Sequence, residues 1–489
     1  MDLRTIARLQ VVWCALLLCC VNGAIQSPLL ANKQWNLLTY NFEYDSPPND
    51  KNYYIAENVV STGIAISYDR IFLATPRLFS GVPATLSSVP LAQFGDSPVL
   101  QAYPDWSFHT VSKGTYNCSD LGLVSVYRHR IDSCNRLWVL DAGVSRSLED
   151  YEITCPPKIL VFDLATDQVV RRIDFPRQVR RGESLFTNLV IDETTSGQNC
   201  DNVFVYITDT VEPAIVVYDS ARDLTWRVVH PSMYPDPDWA ESDIVGSRFV
   251  LMDGVVGLAF DEKTGTVYYQ PLATDRVFSV SKETLRSGPI PITQALQSKL
   301  VGRKSSQGLA IAVAPDDGSL IFSPFTETAL ASFNPQTNKQ KVISYDPEQL
   351  QFVADMSLSK YDPSALYVLS SRFQRYYLKT VNPNEVNTRI LRIELFGPTA
   401  TNFNQGGKIQ YNSYLRGQNA PSSSGYVAPF YSGSSSPFQF LNAGGQIPRK
   451  PAYQLLPEQL FPSINPDYGN LNTLRVAKSI VNNATTLHY

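Results

Sequence analysis

One grammar repeats six times between residues 34 and 397, and it limits the fold more than any single motif. An apolar strand runs into an acidic or polar turn, a second apolar strand ends in a small polar cluster, and a third ends in Asp or Asn with Thr nearby. One unit reads LVSVYRHRID, RLWVLDAG, ILVFDLATDQ and VVRRIDF; the next reads LVIDETTSGQNCD, VFVYITDT and AIVVYDSARDLTW. Units of roughly 50 to 65 residues, each of three or four short strands, predict an all-β fold, a six-bladed β-propeller. A pair of β-sandwiches is the alternative, but its strands would not recur with this register of turn acids. Helical periodicity is nearly absent; only a short stretch near Ile292 to Leu300 could be a helix. A propeller must close its ring, and QWNLLTYNFEY (Gln34 to Tyr44) is the expected outer strand of the last blade.

The two ends read differently. Arg4 and Arg8 precede an apolar run from Val11 to Val21 and small residues at 21–23, which predicts a secretory signal peptide over 1–23. No later segment is apolar for long enough to span a bilayer. Residues 398–489 are rich in Ser, Gly, Pro, Asn and Gln with scattered aromatics, the composition of a disordered tail. Its aromatic spacing suits adsorption to matrix polymers; a merely solvated tail is the plainer reading. A net charge of −4 without any basic block argues against nucleic-acid binding.

Removing the signal leaves Cys118, Cys134, Cys155 and Cys200. An even number in an oxidising compartment implies two disulfides. Three connectivities are open, and proximity along the chain favours Cys118–Cys134 with Cys155–Cys200. Sequons at Asn117 and Asn483 are candidate glycan sites. With no close cysteine pair and only four His, a metal site is not expected, and no cofactor motif occurs.

Residues that follow the second strands should face one another around the axis. This ring holds Arg77, Asp141, Asp209, Asp275, Phe325, Ser371, Arg372 and Phe373. It would suit a small aromatic cation: a phenylalanine against the ring, a carboxylate for the charge, hydroxyls for phenolic groups. The competing reading is that these acids cap strand ends and satisfy turn amides. Hydrolase motifs are absent, and His109, His129, His230 and His488 fall at unrelated repeat positions. Proton-transfer chemistry would need only an acid and a base beside a bound substrate.

VYRHRIDSCNRLWVLDAG, DGVVGLAFDEKTGTVYYQPLATDRVFSVS, YVLSSRFQRYYLKTVNPNEVNTRIL and PRLFSGVPATL resemble the insect yellow/major royal jelly protein family, its yellow branch in particular. The resemblance spans 34–397. It implies a secreted six-bladed propeller with roles in cuticle and melanin pigmentation. Some members of the family convert dopachrome, and salivary relatives bind biogenic amines. In the amine binders an Asn and, two residues later, a Phe come from the last blade; Ser371 and Phe373 stand at those positions here. Ser332-Phe333-Asn334 also departs from the family's Cys-Trp-Asn. Three functions follow as expectations. The first is capture of a small aromatic amine or catechol-derived molecule in pigmentation or cuticle maturation. The second is dopachrome isomerisation, with Asp141 or Asp209 as base and Arg77 or Arg372 as stabiliser. The third is a structural role in which the tail holds matrix.

Overall fold

The computed structural model describes residues 29–42, 52–93, 96–113, 117–194, 200–291 and 294–395. The expected signal peptide and tail, Asn483 and His488 lie outside the described residues.

Six four-stranded sheets span 63–102, 126–174, 186–228, 255–303, 311–345 and 352–394; they are blades 1 to 6. Their inner strands are Gly63–Ile66, Val126–Ile131, Phe186–Glu193, Val255–Asp261, Ile311–Val313 and Phe352–Ser359. Each inner strand packs on the next and the last on the first, so the ring is closed. The propeller read from the repeats is therefore the fold.

Strand composition follows from this geometry. Blades cover one another on both faces, so middle strands are apolar without alternation. In Arg136–Asp141, Leu137, Trp138, Val139 and Leu140 are all fully buried. Trp138 and Leu140 pack towards Phe186 and Ile207 of blade 3, while Leu137 and Val139 pack with Phe72 and Phe162. Each such side chain contributes about 1.5–3 kcal/mol by burial. The outer strand Gln168–Asp174 has water on one side and alternates instead.

Closure does borrow an N-terminal strand, but an earlier one than expected. Leu30–Trp35 pairs antiparallel with Thr388–Glu394 as the outer strand of blade 6. Trp35 ends it, with its indole donating to Pro98 O at 2.7 Å. The following residues cross to blade 1, where Asn41 N donates to Leu100 O and Leu100 N to Thr39 O. The described residues 294–300 form no helix. Lys299–Arg303 is the outer strand of blade 4, and 292–293 lie outside the described residues. Leu296 packs into the core beside it, which accounts for the apolar spacing.

Four cysteines form two disulfides, but the pairs are Cys118–Cys155 and Cys134–Cys200, not the neighbours in sequence. Cys134 and Cys200 lie in the turns after the inner strands of blades 2 and 3, which the ring brings side by side. Cys118 and Cys155 lie at the opposite ends of the blades. Asn117 is exposed next to the bonded Cys118.

Candidate functional site

The ends of second strands and the starts of inner strands do share one rim, and Asp141 shows what the acids there do. Its Oδ1 accepts from Ser125 N and Gly143 N, and its Oδ2 from Val124 N and Lys158 Nζ at 2.8 Å. Burial works to raise its pKa, but Lys158 and the backbone donors outweigh that and hold it below the ordinary carboxylate value. Gly143, at φ +70°, lets the chain turn so tightly that a Cβ would sit 2.0 Å from Cys155 O.

Asp209 repeats the pattern in blade 3. Leu185 N and Glu212 N donate to one oxygen, Ser184 Oγ and Arg227 Nη1 to the other. Asp275 is buried against Arg303 at 2.8 Å. Arg77 is buried and donates to the carbonyls of Val82, Pro83, Leu123 and Val124. Arg372 pairs with Glu385. These five residues therefore tie loops to strands at the rim. Asp141 and Asp209 each already accept four hydrogen bonds from the protein's own groups, as the capping reading of these acids expects.

The aromatic members of the ring do come together. Phe325 stacks on Phe352 with centroids 4.4 Å apart, and Phe352 stacks on Phe373 at 4.5 Å. Ser323 Oγ and Ser371 Oγ, at matching positions of blades 5 and 6, are buried and make no hydrogen bond. Phe373 opens the short helix Phe373–Tyr377.

Five residues that the repeat register did not single out complete this wall. Phe249 comes from a hairpin, Glu241–Ile244 with Ser247–Val250, inserted before blade 4. Its ring lies 6.2 Å from Phe373 and 5.4 Å from Tyr377. Tyr127 and Tyr151 come from blade 2, and Asp253 from just before the inner strand of blade 4. The phenols are held in place: Tyr127 with Ser147 Oγ at 2.6 Å, Tyr151 donating to Glu183 O and Tyr377 to Val250 O. Burial raises the pKa of all three, and the Asp253 carboxylate adds to each shift. Asp253 thus acts on three tyrosines from two blades, though on Tyr151 the neighbouring Tyr127, Asp209 and Glu183 act more strongly. The sequence signal was Asp253-Gly254-Val255, which sits at an inner-strand start and not after a second strand.

His109 and His129 are fully buried. His109 Nδ1 accepts from Thr85 N, and Nε2 donates to Tyr103 O; His129 Nε2 donates to Phe72 O. Burial pushes both down to about 3, so they stay neutral and structural. Lys304 differs: it is fully buried, and the single hydrogen bond of its Nζ is to the amide oxygen Gln270 Oε1 at 2.6 Å. Burial pushes it down to about 7. Among the described residues, no group of three or more His, Cys, Asp or Glu could hold a metal, and no helix is long and apolar enough to cross a membrane.

A disulfide-stapled six-bladed propeller with a cluster of aromatic side chains at one rim is the class these features define. The chain belongs to the major royal jelly protein family, whose model matches residues 124–396. It is similar to a Drosophila melanogaster dopaminechrome tautomerase, 27% identical over 69% of this chain and 75% of the relative. Major royal jelly protein 1 of Apis mellifera is 27% identical over 73% of this chain and 85% of its own. Protein yellow of Drosophila melanogaster is 28% identical over 69% of this chain, which spans 63% of that relative, under two thirds of its length.

Proposed function

We propose that this chain is a secreted, pigmentation-related member of the yellow branch that captures a small aromatic molecule derived from a catechol, such as a catecholamine, at the rim. The observation that carries the reading is the aromatic run Phe325, Phe352, Phe373 and Phe249, with Asp253 within electrostatic reach of Tyr127, Tyr151 and Tyr377. A protonated amine would pair with the carboxylate, the ring would lie against the aromatic wall, and phenolic groups would meet Ser323 or Ser371. Two disulfides in so large a fold favour an oxidising compartment. Calorimetric titration of dopamine, serotonin and dopaminechrome tests the reading against wild type and Phe373→Ala. Saturable heat with at least one ligand, weakened about tenfold in the variant, is expected from loss of about 1.4 kcal/mol of aromatic contact. No heat with any of the three rejects it.

A second reading, isomerisation of a quinonoid substrate, is favoured by Lys304 and by the tautomerase relative. Lys304 is a buried amine hydrogen-bonded to the Gln270 amide, with the Asp275 carboxylate near enough to favour its charged form, and it can take up a proton near neutral pH. Decay of dopaminechrome absorbance faster than in buffer, rising with pH through about 7 and abolished in Lys304→Met, would support it. Decay at the buffer rate rejects it.

A further inference from the structure

On the face opposite the rim, a short turn joins each inner strand to the second strand of its blade. In blade 1 this turn, between Gly63–Ile66 and Arg70–Ala74, carries Tyr68. In blade 6 the matching turn, between Phe352–Ser359 and Asp362–Ser371, carries Tyr361. Blades 1 and 6 meet where the ring closes, and Ser359 Oγ of one turn donates to Ile66 O of the other at 3.2 Å. The two phenol rings meet edge to face, with centroids 5.8 Å apart and planes at 70°. Both are exposed, Tyr68 by 77% and Tyr361 by 41%.

The two rings are held differently. Tyr361 Oη donates to Asn135 Oδ1 at 2.8 Å, and Lys360 Nζ lies 5.1 Å from the centre of its ring. Lys360 also donates to Ser133 O at 3.0 Å, so the turn of blade 6 is anchored on that of blade 2. Tyr68 stands mostly in solvent, where side chains change rotamer within nanoseconds, and it can swing from edge-on to alongside the fixed ring. Tyr40 and Tyr54 make a similar edge contact at 5.9 Å. Tyr40 is only 5% exposed, however, and its hydroxyl donates to Ala84 O. Both pairs touch, but an oxidant in solution reaches both rings of the first pair alone.

We propose that Tyr68 and Tyr361 form an oxidative cross-linking site, joined as dityrosine by a haem peroxidase acting with hydrogen peroxide. Each phenol gives up one electron and its hydroxyl proton, and the two phenoxyl radicals carry spin on the carbons next to the C–O carbon. A carbon–carbon bond forms between one such carbon of each ring. The hydrogen on each bonded carbon then moves to oxygen, which restores both phenols. The peroxide accepts the two electrons and two protons and leaves as two waters. The Cys134–Cys200 bond staples blades 2 and 3, whereas the described residues carry no covalent tie between blades 1 and 6. Dityrosine there would close the ring covalently. A cross-link constrains the unfolded chain more as the span it closes grows, and this one spans almost the whole propeller. The site lies on the other face from the aromatic rim and is independent of the function proposed there.

Treatment of the dilute full chain with a haem peroxidase and hydrogen peroxide, followed by proteolysis and mass spectrometry of the monomer, tests this. A peptide joining Tyr68 to Tyr361, two hydrogens lighter than the sum of its parts, should appear together with dityrosine fluorescence. Tyr68→Phe and Tyr361→Phe should each abolish that peptide. Tyr345→Phe, which removes a tyrosine 47% exposed on the outer strand of blade 5, should leave it unchanged. The cross-linked monomer should unfold at higher urea than the untreated chain, and treated Tyr68→Phe should show no such rise. Tyr68 coupled only to other chains in covalent dimers would overturn the proposal, as would oxidised Tyr68 without Tyr361 as its partner. A Tyr40–Tyr54 peptide in equal yield would also overturn it, because exposure would then not select the pair. The mapping of wild type stands even if a variant fails to fold.

Discussion

Arg130 holds both carboxylate oxygens of Asp355, at 2.9 and 3.0 Å, and so joins the inner strand of blade 2 to that of blade 6 across blade 1. Arg128 adds a third contact at 2.9 Å, and Ile64 N of blade 1 donates to the same carboxylate. Burial works to raise the pKa of Asp355, but the two arginines outweigh it and hold it below the ordinary carboxylate value. The seam where the ring closes is therefore locked by one buried acid as well as by the borrowed strand.

Removing that acid should be costly, because Arg128 would be left buried and unpaired. Asp355→Ala is expected to lose about 3–5 kcal/mol in urea unfolding monitored by tryptophan fluorescence. A loss below about 1 kcal/mol would mean that the closure strand alone holds the seam.

The two buried histidines set an acid limit. Their folded pKa values of about 3 lie below the unfolded value of 6.5. Between those values the unfolded chain binds more protons, so stability is full above pH 6.5 and falls as pH drops towards 3. Each histidine contributes a slope of up to about 1.4 kcal/mol per pH unit in that window. Urea midpoints measured from pH 7 to pH 4 should fall, and His129→Gln should make the fall shallower. A flat profile would show that the histidines are hydrated and not buried.

Non-reducing peptide mapping should find Cys118 with Cys155 and Cys134 with Cys200. Replacing Cys134 and Cys200 together by Ala should cost about 2–5 kcal/mol, since the bond closes a span of 66 residues. Recovery of a Cys118–Cys134 peptide would contradict the arrangement of blades 2 and 3.

Much of this fold was legible because a blade's middle strands are covered on both faces. RLWVLD could hardly be anything else once its turn acids recurred. The rim was legible as a location but not as chemistry. The position of Asp141 follows from the repeat, but its counter-charge, Lys158, begins the next strand, and no pattern in sequence announces that pairing. Sequence proximity failed for the cysteines because the ring sets equivalent turns of neighbouring blades together. Phe249 and Asp253 were missed because they belong to the stretch joining blades 3 and 4, where an inserted hairpin breaks the repeat register.

The claim that the aromatic rim is a ligand site is tested most directly by the crystal structure of the full chain soaked with dopamine. The account predicts ordered density with the ammonium on Asp253 and the catechol ring against Phe249, Phe373 or Tyr377. Dopamine bound elsewhere with the rim closed, or no density at saturating concentration, would contradict it.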